Sequence, residues 1–471
     1  MYFLQAFFGV FPTILKISII TPLLKNGDPA DPANRRHISC VSFSAKVFEH
    51  HINSQLSFYL NEHHILHPLQ FGFRKHLSTE HALAHFQNYI TENFDKKKFC
   101  FGIFLDIKKA YDSVHHRLLL NKLEHYGVRG IELHLFKTYL ENRSHRTFCN
   151  GVLSDAALCN TGVPQGGILL PLLFISFIND LYYLDTNSSI FSYADNTTIM
   201  HANNNMNFSV NKLNIDLGKI SQWFYHNMLE LNLEKTKSLL FSTYQSNIDF
   251  PIGQLVLDRT ILTENSSTSL LGVKIVKNLS WNEQIDKICI SLGFVNSVIF
   301  RLKMLSVPSN ILLIVYKALF LPYLNYACCI WGLTTRANLD HLQRLQNSAL
   351  RLIYGFSRRD HVTPYRVNNS LFSVRQIIHR FTCNFIHKQL LCGLDGSCFQ
   401  PYFYFSSFSQ DRKKLFLPYS RVQIRQRTLF FRGIQMYNGL PLQYRQEESL
   451  HNFKKIIKMF SLSLEDSSIR I

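Results

Sequence analysis

The sequence predicts an α+β fold. Short apolar runs of strand length, Phe99–Leu105 above all, stand among longer stretches whose apolar residues recur with helical spacing. Of 471 residues, 46% are hydrophobic and 17% charged, so a real core can be buried and wholesale disorder is excluded. That length allows roughly two to four domains. No internal repeat or low-complexity tract is visible.

Taken in order, Ile17–Ile20 reads as a short strand, followed by a loop carrying Lys25, Arg35 and Arg36. From Ser44 to Leu60 the apolar positions Val47, Phe48, Ile52, Leu56 and Leu60 mark a helix. Gln70–Arg74 is a turn or short strand, and Ser78-Thr79-Glu80 opens another helix with hydroxyls as caps. Phe99–Leu105 is a buried strand that ends at Asp106. A helix with Ser113 as cap follows, stopped by Gly127. Thr161–Gly167 is a glycine-rich loop feeding an apolar helix, Leu169–Leu181. Phe191–Ile199 reads as two strands meeting at a tight turn, with Asp195 and Asn196 at its tip. An amphipathic helix over Leu213–Leu231, a strand over Ser238–Phe241 and half of another hairpin over Ser269–Ile275 come next. From residue 284 the pattern is mainly helical, with Arg344 and Arg351 on one helix face; residues 356–430 are basic and poorly periodic.

The net charge is +18, with basic residues spread along the chain rather than gathered in a tail. This points to a polyanion held in a long groove, either nucleic acid or an acidic membrane face. Ten cysteines include one adjacent pair, Cys328-Cys329, and no CxxC motif. A zinc site is therefore not expected; reduced cysteines in an intracellular protein are. The apolar stretch Met1–Leu24 contains Lys16, and Ile311–Leu333 contains Lys317, Pro322 and Asn325, so no membrane span is expected.

Two aspartates thus stand at strand ends or tips, Asp106 and Asp195, in a region that also holds a glycine loop and a cationic loop. Carboxylates held rigidly at such points suit divalent-metal phosphoryl transfer. Here the sequence resembles the reverse transcriptase of non-LTR (LINE-type) retrotransposons, the jockey-like group in particular. Leu105–Val114, Gly162–Gly166 with Pro171–Phe174, and Tyr193–Asn196 are similar to successive family motifs. Gln70–Arg74, Trp223-Phe224, Lys235-Thr236, Leu271-Gly272, Trp331-Gly332 and Leu345-Gln346 follow in family order. The resemblance extends from about residue 12 to the C-terminus.

The resemblance implies a right-hand polymerase. Fingers would span residues 1–98, starting abruptly, and a ferredoxin-like palm with fingers insertions 99–283, the reverse transcriptase domain covering about 12–275. A helical thumb would span 284–355 and a basic extension 356–471. The activity implied is RNA-directed DNA synthesis from dNTPs on an RNA template and a DNA primer, with element RNA as partner and an endonuclease separate or missing. Asp106, Asp195 and the Ile107 carbonyl would hold two Mg²⁺ ions, with Mn²⁺ as substitute. Asn196 stands in the catalytic motif where the family has a second aspartate, so activity would be impaired. The alternative is a catalytically dead, nucleic-acid-binding remnant of such an element. Lys25, Arg36, Tyr111, Gln165 and Lys235 would contact the incoming nucleotide. Gly166, Tyr193, Arg344 and Arg351 would contact nucleic acid.

Overall fold

The computed structural model describes residues 9–24, 28, 30–31, 34–164, 166–243, 255–357, 359–391, 399, 402–406, 413–466 and 468–469. The strands are β1 (Ile17–Leu24), β2 (Arg35–Val41), β3 (Phe99–Leu105), β4 (Arg143–Cys149), β5 (Val152–Leu153), β6 (Ala157–Cys159), β7 (Ser189–Tyr193), β8 (Asn196–Asn203) and β9 (Lys237–Phe241). Two late hairpins add β10 (Val256–Leu257) with β11 (Thr260–Ile261), and β12 (Ser267–Leu270) with β13 (Val273–Val276). The longer helices are α1 (Phe43–Glu62), α2 (Thr79–Asp95), α3 (His116–His125), α4 (Gly130–Leu140), α5 (Leu170–Phe177), α6 (Met206–His226), α7 (Asn282–Met304), α8 (Arg336–Tyr354), α9 (Val374–Leu391) and α10 (Leu450–Ser463).

The central sheet is antiparallel, in the order β7-β8-β3-β9. Its first strand in sequence lies between the third and the fourth. That is the ferredoxin-like βαββαβ arrangement, with helices inserted between β3 and β7 and α6 between β8 and β9. β3 reads as an unbroken apolar run because both its faces are buried. Cys100 and Phe104 join one core with Phe86, Ile90 and Phe94 of α2. Phe101, Ile103 and Leu105 join the other, with residues of α1, α5 and α6. The first core continues without a break into α7, α8, α9 and α10. A second sheet, β2-β1-β4-β5 with β6 on β4, lies beyond the far core.

Several elements differ from expectation. Ser113 is not the cap of α3. Residues 109–113 turn back on themselves, with Asp112 N–H and Ser113 N–H donating to Lys109 O, and the helix starts only where His115 Nδ1 accepts from Leu118 N–H. Ser269–Ile275 is the tip and both flanks of the β12–β13 hairpin, not half of it. Residues 356–430 contain α9, which is buried on most of its circumference and so shows little amphipathic period. Ile311–Leu333 is broken into short helices and a π turn, and among the described residues no helix is long and apolar enough to cross a membrane.

Among the described residues His81, His379 and His387 are buried and His85 is half-buried. Burial pushes His81 down to about 3 and His85, His379 and His387 down to about 4. The unfolded chain takes up protons near pH 6.5, whereas the folded chain refuses them until about pH 4. The stability held by the neutral rings is complete above pH 6.5 and is lost as pH falls toward 4. Each ring costs about 1.4 kcal/mol per pH unit in that window. The melting temperature followed by circular dichroism is expected to fall steeply between pH 6.5 and 4.5; a flat profile would refute the neutral packing.

Candidate active site

The register of the central sheet builds the site. Leu105 pairs with Thr197 at the end of the β3–β8 ladder, so the next step along β3 sets Asp106 across from Asn196. Tyr193 pairs with Asn196 at the end of β7–β8, leaving Ala194 and Asp195 as the turn. Ala194 carries a left-handed φ of 57°. Asp195 Oδ1 accepts from Tyr111 Oη at 3.4 Å and from Asn196 Nδ2 at 3.3 Å. Asp106, Tyr111, Asp195 and Asn196 therefore share one end of the sheet.

On the other edge of β3, Asn232 N–H donates to Asp106 O at 2.8 Å and Lys108 N–H to Glu230 O at 2.8 Å. The Lys108 and Glu230 side chains pair as well. Ile107 bridges Leu231 between those two bonds, which turns its own N–H and C=O toward the hairpin side. Among the described residues nothing donates to the Ile107 carbonyl. Two carboxylates and a carbonyl oxygen suit Mg²⁺, a hard ion that takes one or two carboxylates and keeps water or phosphate in its other positions. Among the described residues no three His, Cys, Asp or Glu side chains converge on one point; beside Asp195 stands the amide of Asn196.

The glycine loop is tied to this corner. Gly162 N–H donates to Val114 O at 2.8 Å and Val163 N–H to Tyr111 O at 3.1 Å. Gly166 has a φ of 129°, and a Cβ there would stand 2.3 Å from Ser39 O of β2. The loop thus wedges between the central sheet and β2, where only glycine fits. Behind it Glu49, fully buried on α1, accepts from Ile168 N–H at 2.6 Å and from Tyr139 Oη at 2.9 Å. Glu49 was missed from sequence, although it sits on the stripe of Ala45, Phe48, Ile52 and Leu56. An acid on an apolar stripe is a readable sign of a buried anchor.

The remaining candidates are scattered. Tyr193 is half-buried, and burial with the neighbouring Tyr326 pushes its phenol up. Tyr326 donates to Leu271 O at 2.6 Å, which links the β12–β13 tip to the end of β7. Lys235 is exposed, on the same loop as Asn232, whose Oδ1 accepts from Lys235 N–H at 3.3 Å. Arg344 is exposed on α8, while Arg351 donates through Nε and Nη2 to Asp360 O at 3.3 and 3.0 Å. Lys25 and Gln165 lie outside the described residues, as does the side chain of Arg36.

Residues 23–275 match the profile of the reverse transcriptase (RNA-dependent DNA polymerase) family. A probable RNA-directed DNA polymerase from transposon BS of Drosophila melanogaster is 28% identical over 80% of this chain and 42% of its own length. The RNA-directed DNA polymerase from mobile element jockey of the same fly is 26% identical over 74% of this chain and 38% of its own length. The chain thus spans well under half the length of these relatives. Among solved structures, telomerase from Candida tropicalis in complex with a fragment of telomeric RNA aligns with 97% of this chain and 65% of its own, at 10% identity and a TM-score of 0.47. The chain belongs to the reverse transcriptase (RNA-dependent DNA polymerase) family, among relatives that are jockey-like polymerases of non-LTR retrotransposons.

Proposed function

We infer that this chain is an RNA-directed DNA polymerase of a non-LTR retrotransposon that adds dNTPs to a primer 3′-hydroxyl inside the cell, at a rate held down by Asn196. The observation that carries this reading is the register that sets Asp106 beside the Asp195 turn, with Tyr111 hydrogen-bonded to Asp195. In this reading residues 1–98 act as fingers, 99–283 as palm, 284–355 as thumb and 356–471 as a basic extension.

Asp106, Asp195 and the Ile107 carbonyl would hold the divalent ions. When bound, two Mg²⁺ or Mn²⁺ ions supply an activated 3′-oxygen and neutralise charge on the triphosphate. The Tyr111 ring, braced against Phe174 at 4.7 Å between centroids, lies under the sugar and rejects a 2′-hydroxyl. Gln165 and Gly166 lean on the nascent base pair, and Lys25 and Arg36 grip phosphate oxygens. Lys235 donates a proton toward the leaving pyrophosphate. Tyr193, Arg344 and Arg351 follow the primer–template backbone.

Primer extension on an RNA template with dNTPs and Mg²⁺ tests this. Asp106→Ala is expected to reduce extension to background while salt-dependent binding of the primer–template persists, since its phosphate contacts lie elsewhere. Binding without extension in the unmutated chain, in Mn²⁺ as in Mg²⁺, would favour the second reading, a nucleic-acid-binding remnant; Asn196 is the feature that supports it.

A further inference from the structure

The turn that carries Asp195 is held from outside its own hairpin. Gln70 forms a single parallel bridge to Ser192 of β7, with Ser192 N–H donating to Leu69 O at 3.0 Å and Phe71 N–H to Ser192 O at 2.8 Å. Gln70 is fully buried there. Its Oε1 accepts from Gly72 N–H at 2.8 Å and from Ala194 N–H at 3.0 Å. Two convergent donors fix which way the amide faces. The opposite orientation would aim an NH₂ group at two N–H groups. The orientation adopted leaves Gln70 Nε2 buried without a partner. A buried donor without a partner is unfavourable, and the Oε1 contacts outweigh that penalty.

What those contacts hold is itself unfavourable. Ala194, with its φ of 57°, is a non-glycine residue in the left-handed region, where its Cβ crowds the following carbonyl oxygen. The neighbouring segment is pressed close. A Cβ on Gly72 would stand 2.3 Å from Ala194 N, so the approach needs glycine. The next residue is Asp195, and the direction of its side chain follows from the dihedrals of Ala194.

We propose that Gln70 is a positioning residue that clamps the Ala194–Asp195 turn through the Ala194 amide and so aims the Asp195 carboxylate. This rests on the reading of Asp195 as a metal ligand. The clamp acts across the chain, from the segment before α2 to the β7–β8 tip.

Gln70→Leu keeps the bulk and loses the acceptor; Gln70→Glu keeps an acceptor oxygen at the same reach. Both are made in the Asn196→Asp background, with Asp195→Asn as control for Mn²⁺ bound elsewhere. Exchange of the Ala194 amide is read by NMR on ¹⁵N-alanine-labelled protein, and Mn²⁺ affinity by electron paramagnetic resonance. Gln70→Leu is expected to speed Ala194 exchange at least tenfold and to weaken Mn²⁺ binding at least tenfold, with circular dichroism and the other alanine amides unchanged. Gln70→Glu is expected to restore Ala194 protection. Should Gln70→Leu fail to fold, Gln70→Asn, one methylene shorter, carries the same expectation. Unchanged Ala194 exchange overturns the clamp. Faster exchange with unchanged Mn²⁺ affinity overturns the positioning role and leaves only a packing one. A parent that binds no Mn²⁺ overturns the metal reading of Asp195 and the positioning role with it, and the alanine exchange then shows whether the hydrogen bond itself exists.

Discussion

Replacing Asn196 by aspartate is expected to raise Mg²⁺-dependent primer extension on an RNA template by about 10²-fold or more, the scale on which one group that stabilises transition-state charge matters. Asn196 is exposed at the hairpin tip, across from Asp106, and its amide donates to Asp195 Oδ1 at 3.3 Å. That hydrogen bond occupies an oxygen that a cation would use. The amide also brings no charge of its own to a site whose ligands must offset divalent cations. Aspartate at this position adds a carboxylate and removes the amide hydrogen bond to Asp195 in one step. Its cost appears without metal: two adjacent carboxylates facing Asp106 repel, so the melting temperature without Mg²⁺ should fall, and added Mg²⁺ should recover it through binding to the folded state. Initial extension rates of the two forms in Mg²⁺, with melting curves at several Mg²⁺ concentrations, measure both halves. Equal rates would mean that Asp106 and Asp195 suffice.

The strands of this site were legible because their signal is local. Phe99–Leu105 is marked by burial on both faces, and the 191–199 hairpin by apolar flanks around a polar turn. The contacts that aim them were not legible. Gln70 meets Ala194 and Glu49 meets Ile168 across more than a hundred residues, and neither partner changes the local pattern around the other. The start of α3 was misplaced for a similar reason. The stretch after Asp106 must loop back to bring Tyr111 to Asp195, and that tertiary contact outweighs the helix-capping preference of Ser113. Helix α9 escaped notice because Gln376, His379, Thr382 and Gln389 are buried beside its apolar residues, so polar and apolar positions do not mark separate faces. A hydrophobic period reports an amphipathic surface, and α9 hardly has one.

Asp95→Ala is expected to cost about 3–5 kcal/mol and to loosen residues 413–466 from the central sheet. Asp95 is the last residue of α2, where the helix dipole disfavours an acid. Its surroundings offset that. Oδ2 accepts from Arg425 Nη1 at 2.7 Å, and Oδ1 accepts from Val422 N–H at 3.0 Å, Arg421 N–H at 3.2 Å and Ser420 Oγ at 3.4 Å. Both side chains of the pair are nearly closed off, at 11% exposure for Asp95 and 12% for Arg425. Removing the carboxylate strands a buried guanidinium whose Nε already lacks a partner, and frees two backbone donors at once. Asp95→Asn keeps an acceptor for those donors and should fall between. Asp95→Leu with Arg425→Met removes both charges and should recover much of the loss, because the penalty lies in the unpaired charge rather than in the missing attraction. Hydrogen exchange followed by mass spectrometry should show faster exchange across residues 413–466 in Asp95→Ala, with β1 and β2 unchanged. Since α2 also covers the face of β3 that carries Phe104, the same variant should loosen the β3 end that presents Asp106. Slowed primer extension together with faster exchange in β3 would tie the C-terminal segment to the site, whereas faster exchange confined to 413–466 would make the pair a local fastening.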